Sequence, residues 1–125
     1  MIRLMFDNIQ IAHEEVSNGK HELVLEKGIE STDPYIIPKE LFPKGVKRIP
    51  LGDILGFIEW RVFPKEREDC DKLLKELGLE EYDPLEIAKK TKASLIEDGW
   101  WIAFNDTDTY QKDTLRGKLG YTGWR

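Results

Sequence analysis

With a single cysteine, Cys70, the chain can form no internal disulfide, which argues against an oxidising compartment. Histidine is nearly as scarce, and the spacing of His13 and His21 matches no recognised zinc or iron motif. No run approaches the roughly 18 apolar residues that a membrane-spanning helix requires. The opening MIRLMFDNIQ lacks the charged-then-apolar pattern of a signal peptide. These absences predict a cytoplasmic protein with no membrane partner. A GxxxxGK phosphate loop, a GxSxG nucleophile elbow and a kinase catalytic loop are all missing, so no catalytic, metal or cofactor site is expected. Positive charge is also in deficit. Lys and Arg total 19 against 24 Asp and Glu, and the net charge of −5 disfavours unaided binding to a phosphate backbone.

What remains suits one domain of 125 residues, with 40% hydrophobic residues to build a core and 34% charged residues to solvate it. Residues 1–26 read as a β-meander. Ile2, Leu4 and Phe6 alternate with Arg3 and Met5, Asp7-Asn8 supplies a turn, and Ile9 and Ile11 resume the alternation. Ser17-Asn18-Gly19 makes a hairpin corner before a strand in which Leu23 and Leu25 share a face. Residues 27–50 carry Pro34, Pro38, Pro43 and Pro50, which exclude a long helix or a central strand. Their apolar residues Ile36, Ile37, Leu41, Phe42 and Ile49 predict a docked connection within one domain.

Three helices follow. The first is expected over Leu51–Val62, with Leu51, Ile54, Leu55, Ile58 and Val62 as its buried stripe. Gly52 and Gly56 weaken it and suggest a close approach by another element. The second carries Cys70, Leu73, Leu74 and Leu77 at helical spacing, with Gly78 as its left-handed stop. The third starts at Asp83-Pro84-Leu85-Glu86, an aspartate cap, a proline at the first helical position and a capping-box glutamate. WWIAF then reads as a strand, with Trp100, Ile102 and Phe104 on one face and Trp101 and Ala103 on the other. The fold class is α+β: a small antiparallel sheet, the N-terminal meander plus the C-terminal strand, packed against three helices, with tryptophans in the seam. Residues 106–125 are expected as a loosely docked or partner-available tail, because three glycines occupy its last nine positions.

The candidate contacts follow from charge and aromaticity. In the tail, Arg116, Lys118 and Arg125 interleave with Tyr121 and Trp124. Arg61 and Arg67 bracket Pro64, and their guanidinium forks could hold an anionic ligand or lock the helices to the sheet through Glu97 or Asp98. Of these two, the lock is the preferred reading. The acids at the helix starts, Glu66 to Asp71 and Glu80 to Glu86, complement helix dipoles. A metal sketch of His13 and His21 with Glu14, Glu15 or Glu22 yields to an exposed strand face. Cys70 packs as a small hydrophobe. Asp106-Thr107-Asp108 opens like a calcium loop but lacks its glycine and terminal glutamate.

The run from Trp60 to Trp101 resembles a small module of Firmicutes proteins described as HipA-like or excisionase-like. The match rests on Arg61, Pro64 and Arg67 as an Arg-x-x-Pro-x-x-Arg step, then Leu73, Leu74, Leu77 and Gly78, then Asp98, Trp101 and Ile102. Ile11-Ala12 and the proline-rich connection look like the opening of that module. Such genes accompany kinase-like toxin proteins or mobile elements, so the resemblance implies regulation through partner contacts. The kinase half is absent, and its phosphoryl transfer does not carry over. The expected function is a non-enzymatic protein-binding module of a bacterial or phage mobile element. The alternatives are a phage-encoded acidic inhibitor of a host defence nucleoprotein, resembling an anti-CRISPR, and a DNA-binding accessory protein using the tail.

Overall fold

The computed structural model of the chain describes residues 1–120; Tyr121, Trp124 and Arg125 lie outside the described residues. Five strands form one antiparallel sheet: β1 (Arg3–Phe6), β2 (Ile9–Ser17), β3 (Lys20–Leu25), β4 (Arg48–Pro50) and β5 (Trp100–Ala103). Their spatial order is β4-β3-β2-β1-β5. Six helices accompany them: α1 (Ile29–Thr32), α2 (Ile54–Glu59), α3 (Cys70–Glu76), α4 (Pro84–Thr91), α5 (Tyr110–Asp113) and α6 (Leu115–Lys118). The class is α+β, as the periodicities predict.

The tight turns of the meander form where the sequence tolerates a left-handed backbone, with Asp7 at φ 48° and Asn18 and Gly19 at φ 51° and 75°. Strand β2 carries a bulge. Leu4 pairs with Ala12 but Met5 pairs with Gln10, so Ile11 is the extra residue and both Ile11 and Ala12 enter the main core. Strand β4, which the proline pattern concealed, is a three-residue edge, where the missing N–H of Pro50 costs the ladder little.

The sheet is covered on both sides at its β1–β5 end. On one side Leu4, Phe6, Leu23, Leu25 and Ile102 pack with Ile54, Phe57 and Ile58 of α2 and with the proline-rich connection. On the other side Met5, Trp101 and Ala103 pack under Tyr110 of α5. The alternation expected for the WWIAF strand therefore holds. A third cluster joins Cys70 and Leu74 of α3 to Ile87 of α4. Gly78, at φ 76°, stops α3, and the Leu79 N–H reaches the Leu74 carbonyl at 2.8 Å. Asp83 caps α4 by accepting the Leu85 N–H at 3.0 Å, whereas Glu86 pairs with Lys89 at 2.9 Å.

Three buried or half-buried ion pairs tie distant segments together: Arg61 with Asp98 at 2.6 Å, Lys92 with Asp108 at 3.1 Å and Arg116 with Asp7 at 3.4 Å. The last of these changes the expectation for the tail. Residues 106–120 fold back onto the sheet with Tyr110, Thr114 and Arg116 buried, and the Thr114 hydroxyl caps α6 through the Gly117 N–H at 2.9 Å. A Cβ on Gly117 would lie 1.9 Å from the Tyr110 carbonyl oxygen. That glycine permits the close crossing of α5 and α6 rather than opposing regular structure. No helix of the described residues is long and apolar enough to cross a membrane.

Candidate functional site

Helix α2 is shorter than its apolar pattern suggests. A 3-10 turn over Leu51–Asp53 leads into it, and it ends at Glu59 instead of Val62. Its buried residues are Ile54, Phe57 and Ile58, at i, i+3 and i+4, while Leu55 is 44% exposed. The stripe is thus rotated from the expected one. Gly52 and Gly56 face open space, with nothing within 4 Å of an added Cβ, so neither serves a close approach among the described residues.

Trp60, which follows the last residue of α2, lies outside both the expected and the observed stripe. Trp100 and Trp101 are anchored: their indole N–H groups donate to the Ile36 and Asp7 carbonyls at 2.7 and 2.9 Å. Trp60 does not fill the seam. It is 87% exposed, and its indole N–H has no acceptor among the described residues. It lines an open groove of about 560 Å3 together with Glu40, Leu41, Asp53, Gly56 and Phe57. Phe57 forms the buried wall. It meets Trp100 edge-on at 6.4 Å and lies beneath the Arg61 guanidinium, 5.0 Å from the ring centroid. Glu40 and Asp53 are exposed carboxylates without an ion-pair partner among the described residues, and no cation lines the groove.

The groove therefore combines an uncovered indole, an apolar wall and two free negative charges. An indole face attracts a guanidinium or ammonium group, and flanking carboxylates reinforce that preference. The arrangement has the chemistry suited to a cation carried on a partly apolar body.

The residues singled out from sequence fall elsewhere. Arg61 takes the lock reading: its guanidinium donates to both Asp98 oxygens at 2.8 and 2.6 Å and to the Ala93 and Trp100 carbonyls. Arg67 reaches neither Glu97 nor Asp98 and pairs with Asp69 at 2.6 Å on the surface. Arg116 is buried against Asp7, and only Lys118 of the described tail candidates is exposed. Arg61 and Lys118 line one cleft, whereas Arg67 stands apart. Tyr121 and Trp124 lie outside the described residues.

The two histidines do not meet. His13 sits between Glu26 and Glu15, with ring nitrogens 2.6 and 2.9 Å from their carboxylates, while His21 contacts Glu14 at 2.7 Å. The hydrogen bond to Glu26, with help from Glu15 and against some desolvation, raises the His13 pKa above its ordinary value. Burial pushes the Glu14 carboxyl upward, but the Ile2 N–H and His21 outweigh it and hold the pKa low. Asp108 is engaged within the chain: its Oδ2 accepts the Phe104 and Asn105 N–H groups, each at 3.0 Å, and pairs with Lys92 at 3.1 Å. Desolvation raises its pKa, and the Asn105 and Phe104 N–H groups with Lys92 reverse that and lower it. No group of three or more His, Cys, Asp or Glu residues suited to a metal occurs among the described residues.

Sequence reasoning missed the groove, although the phase of α2 contained the signal: Trp60 falls off the face defined by Ile54, Phe57, Ile58 and Arg61. No family model, no curated protein and no solved structure matches the chain.

Proposed function

We propose that the chain is a non-enzymatic protein-binding module whose Trp60 groove takes a lysine- or arginine-bearing segment of a partner protein. One observation carries this reading: a tryptophan 87% exposed beside unpaired Glu40 and Asp53. Tryptophan and arginine dominate binding hot spots, and a tryptophan left in water forgoes the burial that its large ring otherwise gains. A net charge of −5 adds long-range attraction for a basic partner. The HipA-like resemblance of the run that begins at Trp60 points toward the same class, regulation through partner contacts.

The test is calorimetric titration of the full chain with an arginine-rich peptide and with its glutamate-rich counterpart. The basic peptide binds and the acidic one does not. Trp60→Ala weakens binding at least tenfold, in keeping with a hot-spot loss of about 2 kcal/mol. Equal binding of the two peptides, or unchanged binding by Trp60→Ala, would overturn the proposal.

A further inference from the structure

The seam between α4 and the C-terminal helices holds a separate cleft of about 280 Å3, at the small end of ligand sites. Its character differs from that of the Trp60 groove. Phe63, Leu77, Ile87 and Leu115 supply apolar walls. Among these, Leu115 is 49% exposed at the mouth, on a helix otherwise tied down by Arg116.

The polar lining is rich in unused donors. Lys90 of α4 and Lys118 of α6 are both exposed and have no ion-pair partner among the described residues. Ser94 is buried. Its oxygen accepts the Leu115 N–H at 3.1 Å, and its own hydroxyl proton has no acceptor among the described residues. Arg61 has five N–H groups. Four hydrogen bonds, to Ala93, Asp98 twice and Trp100, leave one of them uncommitted. The one carboxylate in the lining, Asp113, already accepts the Thr109 N–H at 2.8 Å. Positive charge and free donors thus converge on an apolar-walled cleft in an otherwise acidic chain. A buried donor left without an acceptor carries a desolvation cost that a bound anion removes.

We propose that this cleft is a second binding site, for a small organic carboxylate with an apolar body. The carboxylate meets Lys90, Lys118 and the Ser94 hydroxyl, and the body lies against Phe63, Ile87 and Leu115. Charge sets the headgroup and the walls set the rest. The site is independent of the Trp60 groove in both residues and sign.

The test is a nuclear magnetic resonance titration of the full chain with benzoate, its neutral counterpart benzyl alcohol, and inorganic phosphate. Benzoate shifts the Ser94 and Leu115 amide resonances saturably, and benzyl alcohol and phosphate each bind at least fivefold more weakly. The double variant Lys90→Gln/Lys118→Gln, both at exposed positions, keeps its unfolding midpoint and loses at least fivefold in benzoate affinity. Trp60→Ala leaves that affinity unchanged, so this proposal and the groove reading fail separately. No saturable shift with benzoate, or undiminished affinity in the double variant, would overturn the site. Phosphate binding as tight as benzoate would overturn the apolar-body assignment.

Discussion

Arg61 is the strut on which the helical layer depends, and its removal has a definite expected cost. The side chain is 5% exposed and the Asp98 side chain 25%. It makes four hydrogen bonds, two of them to one carboxylate, and lies 5.0 Å over the Phe57 ring. Arg61→Met retains much of the aliphatic stem while removing every charge-assisted bond. It strips a donor from the Ala93 and Trp100 carbonyls and leaves Asp98 with only the Trp100 N–H at 3.0 Å. Breaking a buried pair by deleting one partner costs about 3–5 kcal/mol. The lower end is expected here, since Asp98 retains some contact with water. With a urea dependence of about 2 kcal/mol per molar, the unfolding midpoint falls by about 1.5 M. Asp98→Asn keeps the shape and some of the bonding and costs less. The double variant is less destabilised than the sum of the two, by about 0.5–3 kcal/mol of coupling. Urea unfolding of the four proteins supplies the cycle. An Arg61→Met midpoint within experimental error of the parent, or additive single effects, would refute the strut.

Three further outcomes follow from the same geometry. Gly117→Ala drives a Cβ onto the Tyr110 carbonyl, 1.9 Å away in the undisturbed backbone, and is expected to cost at least about 1–3 kcal/mol in thermal unfolding. Gly56→Ala adds a methyl to an unobstructed helical position and is expected to stabilise by about 0.5–1 kcal/mol, read from the same melts. Since the folded His13 pKa is raised, its stabilising contribution is complete below the ordinary value of 6.5 and fades as pH rises through the folded value. His13→Gln should remove that decline from the pH dependence of the urea midpoint.

Local chemistry was legible in the sequence where a few adjacent residues decide the outcome. Asn18-Gly19, Gly78 and the Asp83-Pro84 start each specify a turn or cap through their own backbone preferences, and each forms. Period-two alternation likewise assigned both faces of β5, because a strand has only two faces. Helix α2 was harder. Moving its stripe from Leu51, Ile54, Leu55 and Ile58 to Ile54, Phe57, Ile58 and Arg61, three positions along, exchanges Leu55 for Phe57, and an amphipathic pattern interrupted by two glycines does not fix that phase. Trp60 lies off the stripe in either phase, so helical spacing already placed it outside; assigning the tryptophans to the seam between layers, where Trp100 and Trp101 do sit, hid the groove. Arg116 and Asp7 are 109 residues apart, and nothing near either one signals a pairing set by the return of α6 to the β1–β2 turn. The bulge at Ile11 is of the same kind, a matter of register between strands.

The most direct test of the groove follows the indole N–H resonances of the 15N-labelled full chain as an arginine-rich peptide is added. The Trp60 indole signal, assigned by its loss in Trp60→Phe, is expected to move saturably while those of Trp100 and Trp101, bonded to Ile36 and Asp7, stay in place. A peptide that binds without moving the Trp60 signal would contradict the groove reading.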